Sequence, residues 1–153
     1  MFRVSVESIS VPGMITHLLV IRRTPKFLTD AKFSIETLKT ERYDHAGPNS
    51  ILQFASINLV RNQSFIPHIH EEHNRQSLKS NTKECWVVIK GCILSTLYDF
   101  DGQELTKIRL KKGDLIFTAF GGHNYKCLSK KAFVYELKSG PYEAELDKKR
   151  LNP

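Results

Sequence analysis

His68-Ile69-His70 and, beyond a polar interval, Glu84-Cys85-Trp86-Val87-Val88-Ile89-Lys90-Gly91 are the segments from which the rest of the chain can be read. In the second segment an apolar run rich in β-branched and aromatic residues leads up to a glycine, the composition of a strand closed by a turn. Side chains alternate between faces along a strand, so Glu84, Trp86 and Val88 share one face while Cys85, Val87 and Ile89 take the other. The same rule places His68 and His70 together, opposite Ile69. A carboxylate entering an otherwise apolar face needs a partner, because an unpaired buried charge is costly to desolvate. With the later His123, the sequence supplies three imidazoles and one carboxylate on predicted strands, a set suited to iron, manganese, nickel, copper or zinc.

Working outward, strand patterns are expected at 2–7, 17–22, 51–60, 64–70, 84–90, 92–100, 104–110, 114–118, 123–128 and 132–138. Asp99-Phe100-Asp101-Gly102 carries an Asp-Gly hairpin signal. This density of short strands and turns predicts an all-β barrel or jelly roll. One short helix is expected at 29–39, where Thr29 or Asp30 could cap and Phe33, Ile35 and Leu38 could pack. Residues 40–49 read as a linker, and 71–83 as a polar hairpin loop extended over the barrel mouth.

A chain of 153 residues is of single-domain size. The expected division is an N-terminal extension over 1–49, a barrel core over 50–139 and a tail over 140–153. The net charge of +7 comes from scattered pairs such as Lys111-Lys112, Lys130-Lys131 and Lys148-Lys149. They sit at turns and the terminus rather than along one face with interleaved aromatics, which argues against nucleic acid and for a solvated surface that also attracts small anions. The run ITHLLVI at 15–21 is far below the roughly 20 apolar residues of a membrane helix, and no secretory pattern is visible, so a cytoplasmic location is expected. Cys85, Cys92 and Cys127 form no CxxC pair and read as small strand residues rather than a disulfide framework, with Cys127 the one near a candidate ligand. The extra N-terminal strands could pair with a second copy's sheet edge, giving a homodimer.

Glu71, Glu72 and His73 compete as ligands; Glu72 shares a face with His70 if the strand continues, yet it lacks the apolar run and glycine that follow Glu84. Among Tyr98, Tyr125 and Tyr135, Tyr125 shares a face with His123 by alternation and is the first choice for a proton-transfer group. Trp86 reads as a pocket wall, and His17 and His45 as structural or exposed.

These residues resemble the cupin superfamily. Its first motif is Gly, five residues, His-x-His, three or four residues, Glu, six residues, Gly. Here Asn62 stands at the first glycine, a residue tolerated at positive φ. His68, His70, Glu84 and Gly91 fit, but thirteen residues separate His70 from Glu84. The second motif is Gly, five residues, Pro-x-Gly, two residues, His, and Gly113 to His123 follows it with Ala119 for Pro and one residue fewer. From residue 51 to 151, ECWVVIKGCILSTLYDFDGQE, KKGDLIF and the Gly140-Pro141-Tyr142 tail with Asp147-Lys148 look like WbuC-type cupin metalloproteins of bacterial polysaccharide clusters. The resemblance implies a double-stranded β-helix with a divalent metal (Fe, Mn, Ni or Zn) on His68, His70, Glu84 and His123. Members of that type have a poorly defined reaction; a more distant resemblance to nucleotide-sugar ketoisomerase and epimerase cupins implies a small polar substrate, anionic or a nucleotide-linked sugar, handled by isomerisation or epimerisation. Other readings are an iron-dependent dioxygenase, a non-enzymatic metal- or ligand-binding module, and a metal-free enzyme using His68 or His70 as base.

Overall fold

A computed structural model describes residues 9–11, 14–16, 19–22, 41–75 and 78–152. Its strands are β1 (Ile9–Val11), β2 (Met14–Thr16), β3 (Leu19–Arg22), β4 (Arg42–Asp44), β5 (Leu52–Val60), β6 (His68–His70), β7 (His73–Arg75), β8 (Leu78–Ser80), β9 (Glu84–Lys90), β10 (Cys92–Tyr98), β11 (Glu104–Lys111), β12 (Asp114–Thr118), β13 (Gly122–Cys127), β14 (Lys131–Ser139) and β15 (Lys148–Arg150). Two antiparallel sheets face each other, one in the order β3-β12-β9-β14-β5-β4 and the other β11-β10-β13-β6-β15. Sequence neighbours β9 and β10 thus lie in different sheets, the crossing-over of a jelly roll.

Gly91 makes that crossing possible. It sits at φ 86°, and a Cβ there would lie 2.4 Å from the Lys131 carbonyl oxygen. Both the left-handed backbone and the close approach require glycine. Between the sheets Ile57, Leu59, Trp86, Val88, Ile93, Leu97, Leu110, Ile116, Tyr125, Cys127 and Val134 form one apolar cluster, each the inward member of its strand's alternation. At one end of that interior, polar side chains replace the aliphatic ones.

The expected strands at 84–90 and 114–118 have the observed bounds, and most others differ by a residue or two at an end. The expected strand at 64–70 shortens to β6 with one bridge between Ser64 and Lys126, because Pro67 has no N–H to give a ladder. Part of the expected linker, Arg42–Asp44, is instead an edge strand paired with Ala55 to Ile57. The loop at 71–83 does contain a hairpin, β7 against β8. The one described helix is the four-residue α1 (Ala144–Asp147), in the tail where none was expected. The helix expected at 29–39 and the strand at 2–7 lie outside the described residues. All three cysteines are free and lie in strands; Cys127 is buried in the apolar cluster, where its thiol contacts the Ser129 carbonyl. Among the described residues no helix is long and apolar enough to cross a membrane.

Candidate metal centre

Register delivers the site. His123 on β13 is paired with His68 on β6, and Glu84 on β9 with Thr118 on β12. Directly paired residues project to the same side, so both sheets aim these side chains into the interior. Gly121 at φ 79° turns the chain into β13, and Gly122 leaves no room for a Cβ against Leu151, Ile69 and Tyr98. The paired glycines therefore serve two purposes, a bend and a tight contact, that together set His123. One ligand atom from each of His68, His70, Glu84 and His123 lies within 4.8 Å of the others, and all four side chains are buried.

The proton positions follow from the partners. His68 Nδ1 is 2.8 Å from the Ile66 carbonyl oxygen, which can only accept, so Nδ1 carries the hydrogen and Nε2 keeps a lone pair. That Nε2 is buried and makes no hydrogen bond. Burial first, then the neighbouring His123 and Lys148, pushes the His68 pKa down to about 3, so the ring is neutral. His70 Nε2 is 3.2 Å from Glu84 Oε2, and its Nδ1 is 3.3 Å from Asp147 Oδ2. Burial alone would lower the His70 pKa, but the two carboxylates outweigh it and raise it. Glu84 would be raised by burial, yet His123 and His70 hold its carboxyl well below the usual range. His123 Nε2 is 3.1 Å from Glu84 Oε1 without the alignment of a hydrogen bond, and its Nδ1 has no partner either.

Buried polar atoms without partners cost about 1–3 kcal/mol each. Three imidazole rings with centroids 4.7 to 5.4 Å apart would also repel if protonated. A divalent cation among their lone pairs and the carboxylate removes both penalties, so this donor set could hold one.

Glu71 and Glu72 are exposed and outside the cluster, and His73 belongs to the hairpin. Trp86 and Tyr125 stack at 4.0 Å beneath the site, and the Tyr125 ring lies 5.3 Å from that of His123. Burial, with the nearby Glu84 charge, holds the Tyr125 pKa well above its ordinary value, so the phenol keeps its proton. Tyr98 and Tyr135 pack in separate clusters outside the main core. His45 stacks on Phe54 and bonds Ser56 Oγ, a structural role.

Two buried residues, Asp147 and Thr82, escaped the sequence reading as parts of the site. Asp147 is fully buried, contacts His70 and accepts a hydrogen bond from the Thr82 hydroxyl. The tail brings it there because β15 pairs with β6, Lys148 opposite His70 and Arg150 opposite His68. Imidazole ligands of metals commonly give their second N–H to such a carboxylate.

The fold is a cupin fold. The capsular polysaccharide assembling protein CapF from Staphylococcus aureus superposes with a TM-score of 0.60 at 12% identity, over 73% of this chain and 32% of CapF. A single-substitution variant of the oxalate decarboxylase of B. subtilis gives 0.50 at 20% identity, over 65% of this chain and 24% of that one. Peruvianin-I, a cysteine peptidase from Thevetia peruviana latex, gives 0.50 at 16% identity over 66% and 56%. The chain thus spans less than a third of the length of the first two. Their names carry different activities, so the shared cupin fold does not choose a reaction. No family model and no curated protein matches the sequence.

Proposed function

We propose that this chain binds a divalent transition metal through His68, His70, Glu84 and His123 and acts with it on a small polar, sugar-derived substrate by isomerisation or epimerisation. The observation that carries the metal is His68: the Ile66 carbonyl fixes its tautomer, and the remaining lone pair points, buried and without a partner, at the other donors. Bound there, a divalent ion supplies Lewis acidity toward a substrate hydroxyl or carbonyl oxygen. The His70 ring is hydrogen-bonded to Glu84 at Nε2 and lies against Asp147 at Nδ1, the carboxylate that would take its second N–H once Nε2 turns to a metal. Tyr125, with its proton retained, acts as a hydrogen donor toward the site, and the Trp86 ring closes the interior below it. The sugar-derived class fits the resemblance of the segments from 51 to 151, and the fold is shared with a protein of capsular polysaccharide assembly.

Elemental analysis of protein purified without added metal tests this reading. About one divalent ion per chain is expected, and His68→Ala should lose it while keeping a β-type circular dichroism spectrum. A wild-type protein that stays metal-free after reconstitution would sink the proposal.

A further inference from the structure

A second group of polar side chains faces the same interior from the open side of the sandwich. A cleft of about 330 Å³ is lined by Arg42, Asp44, Gln53, Lys138, Tyr142 and Lys148. These come from β4, β5, β14 and β15 and from the tail between the last two, and β4 and β15 are the edge strands of the two sheets. Lys138 is the cross-strand neighbour of Glu84, and Lys148 that of His70. Directly paired residues share a face with Cβ atoms about 4.5–5.5 Å apart, so each lysine stands beside a member of the His-Glu cluster on its own side of the cleft.

Charges in the cleft do not cancel. Arg42 is engaged by Glu136 at 2.7 Å and Asp44 at 2.9 Å, so its guanidinium is already matched by carboxylates. The buried Lys138 ammonium has Glu136 at 3.9 Å, beyond hydrogen-bond reach, and lies over the Tyr142 ring at 4.1 Å. Among the described residues it makes no hydrogen bond. Lys148 is exposed at the cleft rim. Three cations thus line the cleft against one carboxylate, Asp44, and neither lysine donates a hydrogen bond to a carboxylate among the described residues. A buried ammonium with three donors and no acceptor is suited to an oxyanion.

The walls are fixed in place. Gln53 Nε2 donates to the Gly47, Pro48 and Ser50 carbonyls, holding the loop before β5. Gly140 packs so closely that a Cβ would lie 2.1 Å from the Ser50 oxygen, which seats the segment bearing Tyr142. A wider cleft of about 730 Å³ reaches His70 itself and is lined also by Glu71, Glu72, Asn81, Phe120 and Lys149, where carboxylates outnumber the lysine, so an anion is better received in the narrower cleft.

We propose that the cleft between the two sheet edges binds an oxyanion, a carboxylate or phosphate group of the substrate, through Lys138 and Lys148, while the polar remainder of that molecule enters the His-Glu centre. The assignment of the remainder rests on the metal reading above; the anion seat rests on the lysines. Glu136 Oε1 lies 2.7 Å from Arg42 and 3.9 Å from Lys138, so its hydrogen bond goes to the guanidinium and the ammonium's donors stay open.

Calorimetric titration of the full chain with inorganic phosphate and with malate, with metal content measured on the same samples, tests this. Lys148→Ala should weaken binding about five- to tenfold and Lys138→Gln more than about tenfold, the scale of a lost charge-assisted hydrogen bond. Lys112→Ala, an equal charge change at the exposed turn between β11 and β12, should stay within about twofold. Circular dichroism checks the folding of Lys138→Gln, and the exposed Lys148→Ala carries the test if that variant misfolds. Tighter phosphate assigns a phosphorylated substrate; tighter malate, a carboxylate. Binding that survives His68→Ala but falls in Lys148→Ala supports the seat even if no metal is found, in which case only the metal reading fails. Metal present with no binding of either anion, with equal effects of Lys148→Ala and Lys112→Ala, or with binding lost only in His68→Ala overturns the seat and leaves the metal reading intact.

Discussion

Asp147 shows how one residue can complete a site without belonging to its donor set. Its carboxylate lies against His70 Nδ1 on one side and accepts from the Thr82 hydroxyl on the other, with no exposure to solvent. If that contact orients the imidazole, Asp147→Asn keeps the shape but turns a charge-assisted contact into a neutral one. Metal affinity should then fall about 10- to 100-fold, measured by competition with a chelator. Thr82→Val, which removes only the hydroxyl's hold on Asp147, should give a smaller loss. An unchanged affinity in Asp147→Asn would reduce the residue to packing. The sequence showed His68, His70 and Glu84 because their information is local: i and i+2 spacing, alternation, and a glycine at the strand end. Asp147 gave no such signal, since its partner lies on a strand that precedes it by some eighty positions. A buried acid in a tail of mixed charge looks like any solvated acid until β15 is seen to pair with β6.

Among the elements, β4 is the least legible and carries a clear energetic claim. Its three residues are all exposed and lie in a segment that reads as linker, because Gly47-Pro48 and the surrounding polar residues outweigh the short Arg42–Asp44 pattern. What holds the strand is long-range: three paired positions on β5 and the Arg42 ion pair to Glu136, a residue 94 positions away. The Arg42 side chain is 37% exposed and that of Glu136 6% exposed, so the pair lies between a surface bridge and a buried one. The hydrogen bond and charge of Glu136 outweigh the burial that would lower the Arg42 pKa and hold it above its ordinary value. Solvent screening brings the expected cost of Arg42→Leu to about 1–2 kcal/mol, below the figure for a fully buried pair. Urea denaturation should recover part of that loss in the double variant Arg42→Leu with Glu136→Gln, because the stranded carboxylate is then gone. A double variant less stable than either single one would contradict the pairing. The strands whose limits were legible, β9 and β12, are those whose own residues alternate and whose ends carry turn signals.

Across the whole molecule the interior is divided by depth, and the division predicts what metal removal does. Trp86 and Tyr125 separate an aliphatic half, with Val88, Ile93, Leu110 and Ile116, from the half that holds His68, His70, Glu84 and His123. The aliphatic half is stabilised by burial alone, at roughly 25 cal/mol per Å² of apolar surface. The polar half joins β6 and β13 of one sheet to β9 of the other through four donors whose lone pairs and charge oppose closure unless a cation lies among them. A ligand that binds only the folded state stabilises it by about 4 kcal/mol when present at 1,000 times its dissociation constant. Chelation should therefore lower the melting temperature of the metal-loaded protein, and the loss should be uneven. Amide hydrogen exchange should rise in β6, in the Glu84 end of β9 and in the His123 end of β13, while β10 beside Ile93 and β14 beside Val134 keep their protection. Because His68 has its ring proton fixed by a backbone carbonyl rather than by the metal, its orientation should persist without the ion, whereas Glu84 and His123, held in contact without hydrogen-bond alignment, should separate. Uniform loss of protection through both halves would mean that the site and the apolar core are one cooperative unit, and that the metal supports the fold rather than only the chemistry at its open end.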